Sequence, residues 1–425
     1  MNSPEATTEA STRIRLLVNH FSWIGGVQLI SRVVRLLTIV VVARILFPED
    51  YGLAALVLAA NEIFHSVSHG SVSSKLVQAS ASEVDDLKST VYWMSWLLCV
   101  VLALLQTASA YPMAVFYQQP DIVIPLCLLS LSYLMLSMGT VQNAMLIRER
   151  RLDVVARGEL YQALIETLLT LVLALADFGF WALVLPKLIV VPVWLLYVRS
   201  HYVWSANYDF QIVGWQRVLR FGMPIALNDL LFALRTHVSA LLIGGILGIE
   251  ALGVFYFASN AGLGIAMSLV RALNQVFFTH FCRDCRMGDG VLSEAQFRSG
   301  LVLGLCLIGP FVLMQTVFAP LYVPLVFGER WVEAGAIPIL VLLCLSAIPL
   351  PLASVATQAL RATDQAMTDF WMQLVYAVLF MIAMSVGVCW GLQGVAISTV
   401  CVNFIFCPVF VWWVWHKIRS NERVL

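Results

Sequence analysis

Long apolar runs, separated by short polar breaks, dominate this chain. A helix of about 20 apolar residues crosses the hydrocarbon core of a bilayer. The pattern predicts twelve such spans, near 20–46, 52–70, 89–110, 122–146, 156–176, 179–198, 218–247, 252–278, 298–318, 335–360, 370–389 and 393–416. Lipid offers the backbone no hydrogen-bond partner, so each span is expected to be helical. Prolines fall within several spans, at Pro186, Pro192, Pro224, Pro310, Pro338, Pro349 and Pro351. Each removes an intrahelical bond, and Pro349-Leu350-Pro351 marks span ten as the one expected to break or bend.

The chain repeats itself once. Ile45-Leu46-Phe47-Pro48-Glu49-Asp50-Tyr51-Gly52 and Ile246-Leu247-Gly248-Ile249-Glu250-Ala251-Leu252-Gly253 both read I-L-x-x-E-x-x-G, 201 residues apart. Arg35 and Arg235 precede the two copies at similar distances. With an even number of spans per half, the copies share one orientation, as in transporters built from parallel repeats. The expected fold is an all-α integral membrane protein of about 12 transmembrane helices, in two six-helix lobes around a central cavity. The lobes are expected at 1–198 and 218–425, joined by a cytoplasmic linker at 199–217.

Composition agrees with the pattern. Of 425 residues, 60% are hydrophobic and 12% charged, with a mean hydropathy of +0.87. Soluble domains are about half apolar and about a quarter charged. These values exclude a soluble enzyme, a disordered scaffold and a secreted disulfide module. Net charge is zero, so only the placement of charge is informative. Eighteen of the 25 basic residues lie in one alternate set of loops, including Arg148, Arg150, Arg151, Arg217, Arg361 and Arg419; the other set holds Arg330 alone. Lys and Arg stay cytoplasmic during insertion, so both termini are expected there. The first apolar segment carries Arg32, Arg35 and Arg44 and is read as a retained helix. Trp93, Trp181, Trp204, Trp215, Trp331, Trp390 and Trp415 sit near span ends and are expected to anchor the interface. Most of the nine cysteines lie in apolar runs, where they act as small hydrophobes. His280, Cys282 and Cys285 contain a lone C-x-x-C. With no second pair to complete a zinc site, it is discounted, and whether it binds anything is left open.

Charges within the spans carry more weight. Arg32, Arg35, Arg44, Lys187, Arg235 and Arg271 are basic; Glu62, Glu166 and Asp229 are acidic, with Glu159 at an edge. A charge at bilayer depth costs at least about 2.5–3.5 kcal/mol and normally faces a partner or a wet cavity. Arg44 lies a turn from the outer edge and reads as snorkelling. Internal ion pairs are the plain alternative for the others, yet three acids leave positive charge in excess. Helical spacing gathers polar groups into stripes: Gln28, Arg32 and Arg35; Glu62, His65 and His69; Glu159, Gln162, Glu166 and Thr170; Asn260, Gly264, Ser268, Arg271 and Gln275. Such rows point to a polar interior, or else to interhelical hydrogen bonding around a dry one. Glu62, His65, His69, Glu166 and Asp229 are the candidates for ion coupling or gating.

Ala43-Arg44-Ile45-Leu46-Phe47-Pro48-Glu49-Asp50-Tyr51-Gly52 resembles the (A)-R-x-L-x-P-E-D-(Y/F)-G signature of bacterial oligosaccharide flippases, in the branch of colanic-acid and O-antigen exporters. Gly70 with Leu76-Val77-Gln78 is similar to that branch's ending of span two, and Tyr256 to Phe278 is similar to its eighth helix. The resemblance implies a flippase in the bacterial inner membrane. It would carry a polyprenyl-diphosphate-linked oligosaccharide from the cytoplasmic to the periplasmic leaflet, for exopolysaccharide, capsule or O-antigen assembly. Arginine suits phosphate through its forked donors, so Arg32, Arg35, Arg235 and Arg271 are the expected headgroup ligands, joined by Lys187 if it faces inward. The implied partners are that glycan-lipid, membrane lipids, and a polymerase or other export proteins, with no nucleic acid. No cofactor and no catalytic residue are expected. The inside-negative potential already favours anion exit by about 2.3 kcal/mol per charge per 100 mV, which leaves coupling to a proton or sodium gradient open. A multidrug or cation antiporter would want an acidic cavity. A polysaccharide polymerase would want catalytic groups on long outer loops, and the loops here are short.

Overall fold

The computed structural model describes residues 38–68, 72–79, 83–149, 151–205, 212–264, 294–363 and 365–422, with 267, 270, 273, 274, 277, 280 and 281 between them. Residues 38–45 are helical. Then follow α1 (Pro48–Ser68), α2 (Ser74–Gln78), α3 (Val84–Tyr117), α4 (Val123–Ser137), α5 (Thr140–Arg148), α6 (Leu152–Leu175) and α7 (Trp181–His201). Then come α8 (Trp215–Ile246), α9 (Ile249–Ala258), α10 (Glu294–Tyr322), α11 (Arg330–Glu333), α12 (Ala336–Ser346), α13 (Leu350–Ala362), α14 (Ala366–Gly387) and α15 (Gly391–Glu422). No strand occurs among the described residues. Eight helical stretches among them are long and apolar enough to cross a membrane. One of these, Met367–Arg419, is 53 residues long and is broken at Val388–Trp390, which makes room for two passes.

Helices overrun the apolar spans. α3 begins at Val84 with Asp85 and Asp86 in its first turn and ends at Tyr117, where Gln118 closes it in a left-handed conformation. Hydropathy marks the lipid slab, while the hydrogen-bonded helix continues into polar residues beyond it. Span ten is broken as expected: α12 stops at Ser346 and α13 restarts after Pro349. Span four is also broken, at Met138-Gly139, where no proline announces it.

By the density of their internal contacts, the described residues fall into two compact units, one holding Val57–Leu234 and the other Phe47–Leu56 with the chain from Arg235 onward. In the first, Leu76, Val91, Val141, Ala144 and Val218 form a buried cluster, on which Trp204 packs. Two neighbouring arginines cap helices here. Arg148 Nη1 donates to the carbonyls of Leu76 (3.3 Å), Val77 (3.1 Å) and Ala79 at the end of α2. Arg151 Nη1 donates to His201 O (3.0 Å) at the end of α7. Both answer the unfilled carbonyls and negative pole of a helix C-terminus. Arg148→Ala is therefore expected to destabilise the protein by about 2–3 kcal/mol. Arg199→Ala, at an exposed position on α7, should change little; thermal unfolding in detergent compares the two.

In the second unit, the two repeat copies pack face to face. A Cβ on Gly52 would lie 2.0 Å from Ile249 O, and a Cβ on Gly253 would lie 1.7 Å from Pro48 O. Ile249 and Pro48 are equivalent positions of the repeat, so the contact is reciprocal, as a local two-fold axis requires. Close beside it, Trp331 stacks on Phe257 (centroids 3.8 Å) and takes the edge of Tyr51 (5.1 Å), while Phe327 stands edge-on to Phe257 (5.1 Å). Trp331 is 0% exposed. It is a core residue and not the interfacial anchor its position near a span end implied. Arg330 lies over the Phe47 ring at 3.9 Å. Two wide helical turns, Ser259–Leu263 and Val323–Phe327, also belong to this unit. Gln315 Nε2 serves the first by donating to Ala261 O (2.8 Å) and Gly262 O (3.1 Å). Pro324, which has no N–H, lies within the second.

Candidate functional site

Arg32, Arg35, Arg271 and His69 lie outside the described residues, as do Cys282 and Cys285. The remaining candidates can be placed, and they divide between the two units.

In the first unit, Lys187 on α7 pairs with Glu166 on α6 at 3.1 Å. This is the ion pairing named above as the alternative to ligand binding. The pair compensates two charges at bilayer depth by joining adjacent helices. Thr170 Oγ1 of the same stripe donates to Glu166 O (2.9 Å), so that hydroxyl satisfies its own helix. Glu62 and His65 are half-buried on α1. His65 lies beside the ring of Tyr133 (centroids 6.1 Å). Tyr133 is fully buried, and its hydroxyl reaches Asn61 Oδ1 (3.0 Å), Asn61 O (3.1 Å) and Gln106 Oε1. Gln106 Nε2 in turn donates to Leu126 O (2.9 Å) and Asn61 Oδ1 (3.3 Å). The buried polar centre of this unit is therefore Asn61–Gln106–Tyr133, a neutral network that locks α1, α3 and α4 together. Asn61, at the centre of this network, lies next to Glu62 of the charged stripe but is not on it. Asp229 is half-buried on α8. Among the described residues, no group of three or more His, Cys, Asp or Glu could hold a metal ion.

Arg235 is the basic candidate whose surroundings are best defined. It lies on α8 in the second unit, and its Nη1 donates to Gln373 Oε1 on α14 (2.8 Å). Its guanidinium stands over the Tyr376 ring at 5.2 Å. Gln373 Nε2 donates to Thr357 Oγ1 on α13 (3.1 Å). Tyr376 donates to Asn403 Oδ1 on α15 (2.7 Å), and Asn403 Nδ2 donates to Ser346 O on α12 (2.9 Å). Five helices thus meet in one polar network, in which an amide oxygen and an aromatic face contact the guanidinium. A guanidinium has five N–H donors in a planar fork, so a phosphate oxygen could replace Gln373 with a stronger, charge-assisted bond. Gln373, Tyr376, Thr357 and Asn403 escaped the sequence reading, although Gln373 and Tyr376 fall at helical spacing within one apolar span.

The fold is shared with solved membrane transporters. The lipid II flippase MurJ, in an inward closed conformation, superposes with a TM-score of 0.75 at 13% identity, covering 95% of this chain and 91% of that one. A multidrug resistance transporter of the MATE family, in an inward-facing conformation, gives 0.71 at 16% identity, covering 92% and 95%. In sequence, the chain is similar to the succinoglycan biosynthesis transport protein ExoT of Rhizobium meliloti (strain 1021). They are 25% identical over 394 residues, 91% of this chain and 77% of ExoT. It is also similar to the lipopolysaccharide biosynthesis protein WzxC of Escherichia coli (strain K12), 24% identical over 316 residues, 73% of this chain and 62% of WzxC. Residues 41–337 match the polysaccharide biosynthesis protein family, and the chain belongs to it.

Proposed function

We propose that this multi-pass membrane protein flips a polyprenyl-diphosphate-linked oligosaccharide from the cytoplasmic to the periplasmic leaflet of the bacterial inner membrane, for exopolysaccharide, capsule or O-antigen assembly. The observation that carries this reading is Arg235, a guanidinium gathered among neutral polar groups of five apolar helices, in a chain of a polysaccharide biosynthesis family. An anionic headgroup would suit the guanidinium's forked donors. Arg32, Arg35 and Arg271 extend the same basic character along the chain and are proposed as further headgroup ligands. Lys187 is better read as the partner of Glu166. Sugars would use neutral polar groups, and flipping itself makes and breaks no covalent bond, so no cofactor is invoked. The distribution of Lys and Arg supports cytoplasmic termini. The membrane potential drives anion exit; any coupling to protons or sodium would then be an addition to it, with Glu62 and His65 the described residues best placed to report it.

Cells lacking the protein test the proposal. Mass spectrometry of their polyprenyl-diphosphate lipids should show a glycan repeat unit accumulating on the inner leaflet. Normal lipid pools with normal surface polymer would overturn it. Repeat units that reach the outer leaflet but stay unpolymerised would point instead to a polymerase. In the same cells, Arg235→Ala should fail to restore surface polymer although the protein is present in the membrane. Arg235→Lys, which keeps the charge but loses the fork, should restore only part of it.

A further inference from the structure

α13 lies within an apolar stretch long enough to cross a membrane, Ala336–Ala362, yet it has two different faces. Val355, Ala356, Ala359 and Leu360 belong to a buried cluster with Phe277, Phe297 and Phe410. Ser354, Thr357, Gln358 and Arg361, at helical spacing, form a polar row on the opposite face. Three of the four are tied to other segments. Ser354 donates to Asn274 Oδ1, Thr357 Oγ1 accepts from Gln373 Nε2, and Arg361 Nε donates to Oδ2 of the buried Asp369 (2.9 Å). Polar pairs of this kind hold transmembrane helices together. Gln358 is the exception. It is 7% exposed and has no hydrogen-bond partner among the described residues. Buried polar side chains ordinarily have partners, and an amide has two donors and an acceptor oxygen to satisfy.

We propose that Gln358 is a sugar-binding residue, and that with the hydroxyl of Thr357 it takes the first sugar of a lipid-linked glycan whose phosphate is held by Arg235. This rests on the reading of Arg235 as a headgroup ligand. The chemistry of the amide selects the ligand class. A phosphate oxygen only accepts hydrogen bonds and would leave the amide oxygen unmet; an ammonium group only donates and would leave the N–H groups unmet. Adjacent hydroxyls of a sugar donate and accept at once and match both. Bonded contacts set the place. Thr357, the residue before Gln358, is joined to Gln373 (3.1 Å), and Gln373 to Arg235 (2.8 Å). One glutamine side chain thus separates the guanidinium from the polar row. In a diphosphate-linked glycan a single bridging oxygen separates sugar from phosphate, so one ligand reaches both. Arg235 supplies affinity for the charge common to every such lipid, and Gln358 adds what depends on the glycan. A site that bonds hydroxyls disfavours a ligand lacking them, because its own buried polar groups are then left unpaired.

The test uses full-length protein in phosphatidylcholine nanodiscs. The probes are undecaprenyl diphosphate and the same lipid carrying one glucose, galactose or N-acetylglucosamine. Wild type should bind at least one of the sugar-bearing lipids about tenfold tighter than the bare diphosphate, as one or two hydrogen bonds would give. Gln358→Met, which keeps the length of the side chain and removes the amide, should erase that preference and leave the affinity for the bare lipid unchanged. In detergent without the probe lipids it should melt at the wild-type temperature or above, since no bond is lost. Arg235→Ala should weaken all four lipids. If Gln358→Met lowers the melting temperature and weakens bare and sugar-bearing lipids alike, Gln358 holds helices together; the sugar role is wrong and the flippase reading stands. Equal binding of bare and sugar-bearing lipids by wild type has the same meaning. If wild type binds none of the four, both readings fall together.

Discussion

Alanine at Gly253 will cost the protein about 3 kcal/mol or more, and alanine at Gly52 nearly as much. Overpacking by a single methyl ordinarily costs about 1–3 kcal/mol, because side chains can give way. Here the obstacle is backbone. The new Cβ at position 253 would sit 1.7 Å from Pro48 O and 2.6 Å from Pro48 C; at position 52 it would sit 2.0 Å from Ile249 O. Two helix starts must therefore separate, and the close Cα–H···O approaches that such glycine contacts permit are lost. Gly264→Ala is the control, since an added Cβ there meets nothing within 4 Å among the described residues. Thermal unfolding of the purified protein in detergent should rank Gly253→Ala and Gly52→Ala well below wild type and Gly264→Ala close to it. Equal melting temperatures for all three would show that the two copies do not pack as described.

Removing Trp331 should have the second largest effect, about 3–5 kcal/mol for Trp331→Ala. The side chain is fully buried, stacks on Phe257 and receives the edge of Tyr51. Its loss leaves a cavity that Phe257 and Tyr51, each fixed by further ring contacts, cannot collapse to fill. Trp331→Phe keeps a ring to stack and should recover about half of the loss. Trp390 and Trp412 are 73% and 66% exposed. Their alanine variants should unfold near the wild-type temperature in detergent, so the comparison separates a core tryptophan from surface ones of the same composition and similar sequence setting.

That setting explains what the sequence could and could not reveal. Trp331 stands between Arg330 and Glu333 at the edge of an apolar run, which is where interfacial tryptophans stand; only the rings brought in from residues 51 and 257 make it a core residue. The spans were legible because lipid imposes one strong constraint on every helix, and the break at Pro349 because proline removes a bond. The break at Met138-Gly139 carries no proline to announce it; Gly139 there backs onto the ring of Trp194, 2.7 Å from where a Cβ would be. Arg235 was legible as a charge in an apolar run. Its partners were not, because Gln373, Tyr376 and Asn403 are neutral and lie on helices more than a hundred residues away. Asp369 lies within a turn of a predicted span end, where a carboxylate passes for a solvated one, and only its burial shows otherwise. The Glu166–Lys187 pair had both members named from the sequence, but spacing along one helix says nothing of contact between two.

The reciprocal glycine contact also constrains how this chain can change over evolutionary time. Each glycine presses on the residue four positions ahead of its counterpart, so position 52 answers to 249 and position 253 to 48. Among descendants of one duplicated segment, substitutions should then be correlated crosswise: a bulkier residue at 52 calls for a shift around 249 and leaves 48 free. Here each half is the mould of the other, and the glycine that ends each copy of the I-L-x-x-E-x-x-G pattern is the part of it that this fit requires.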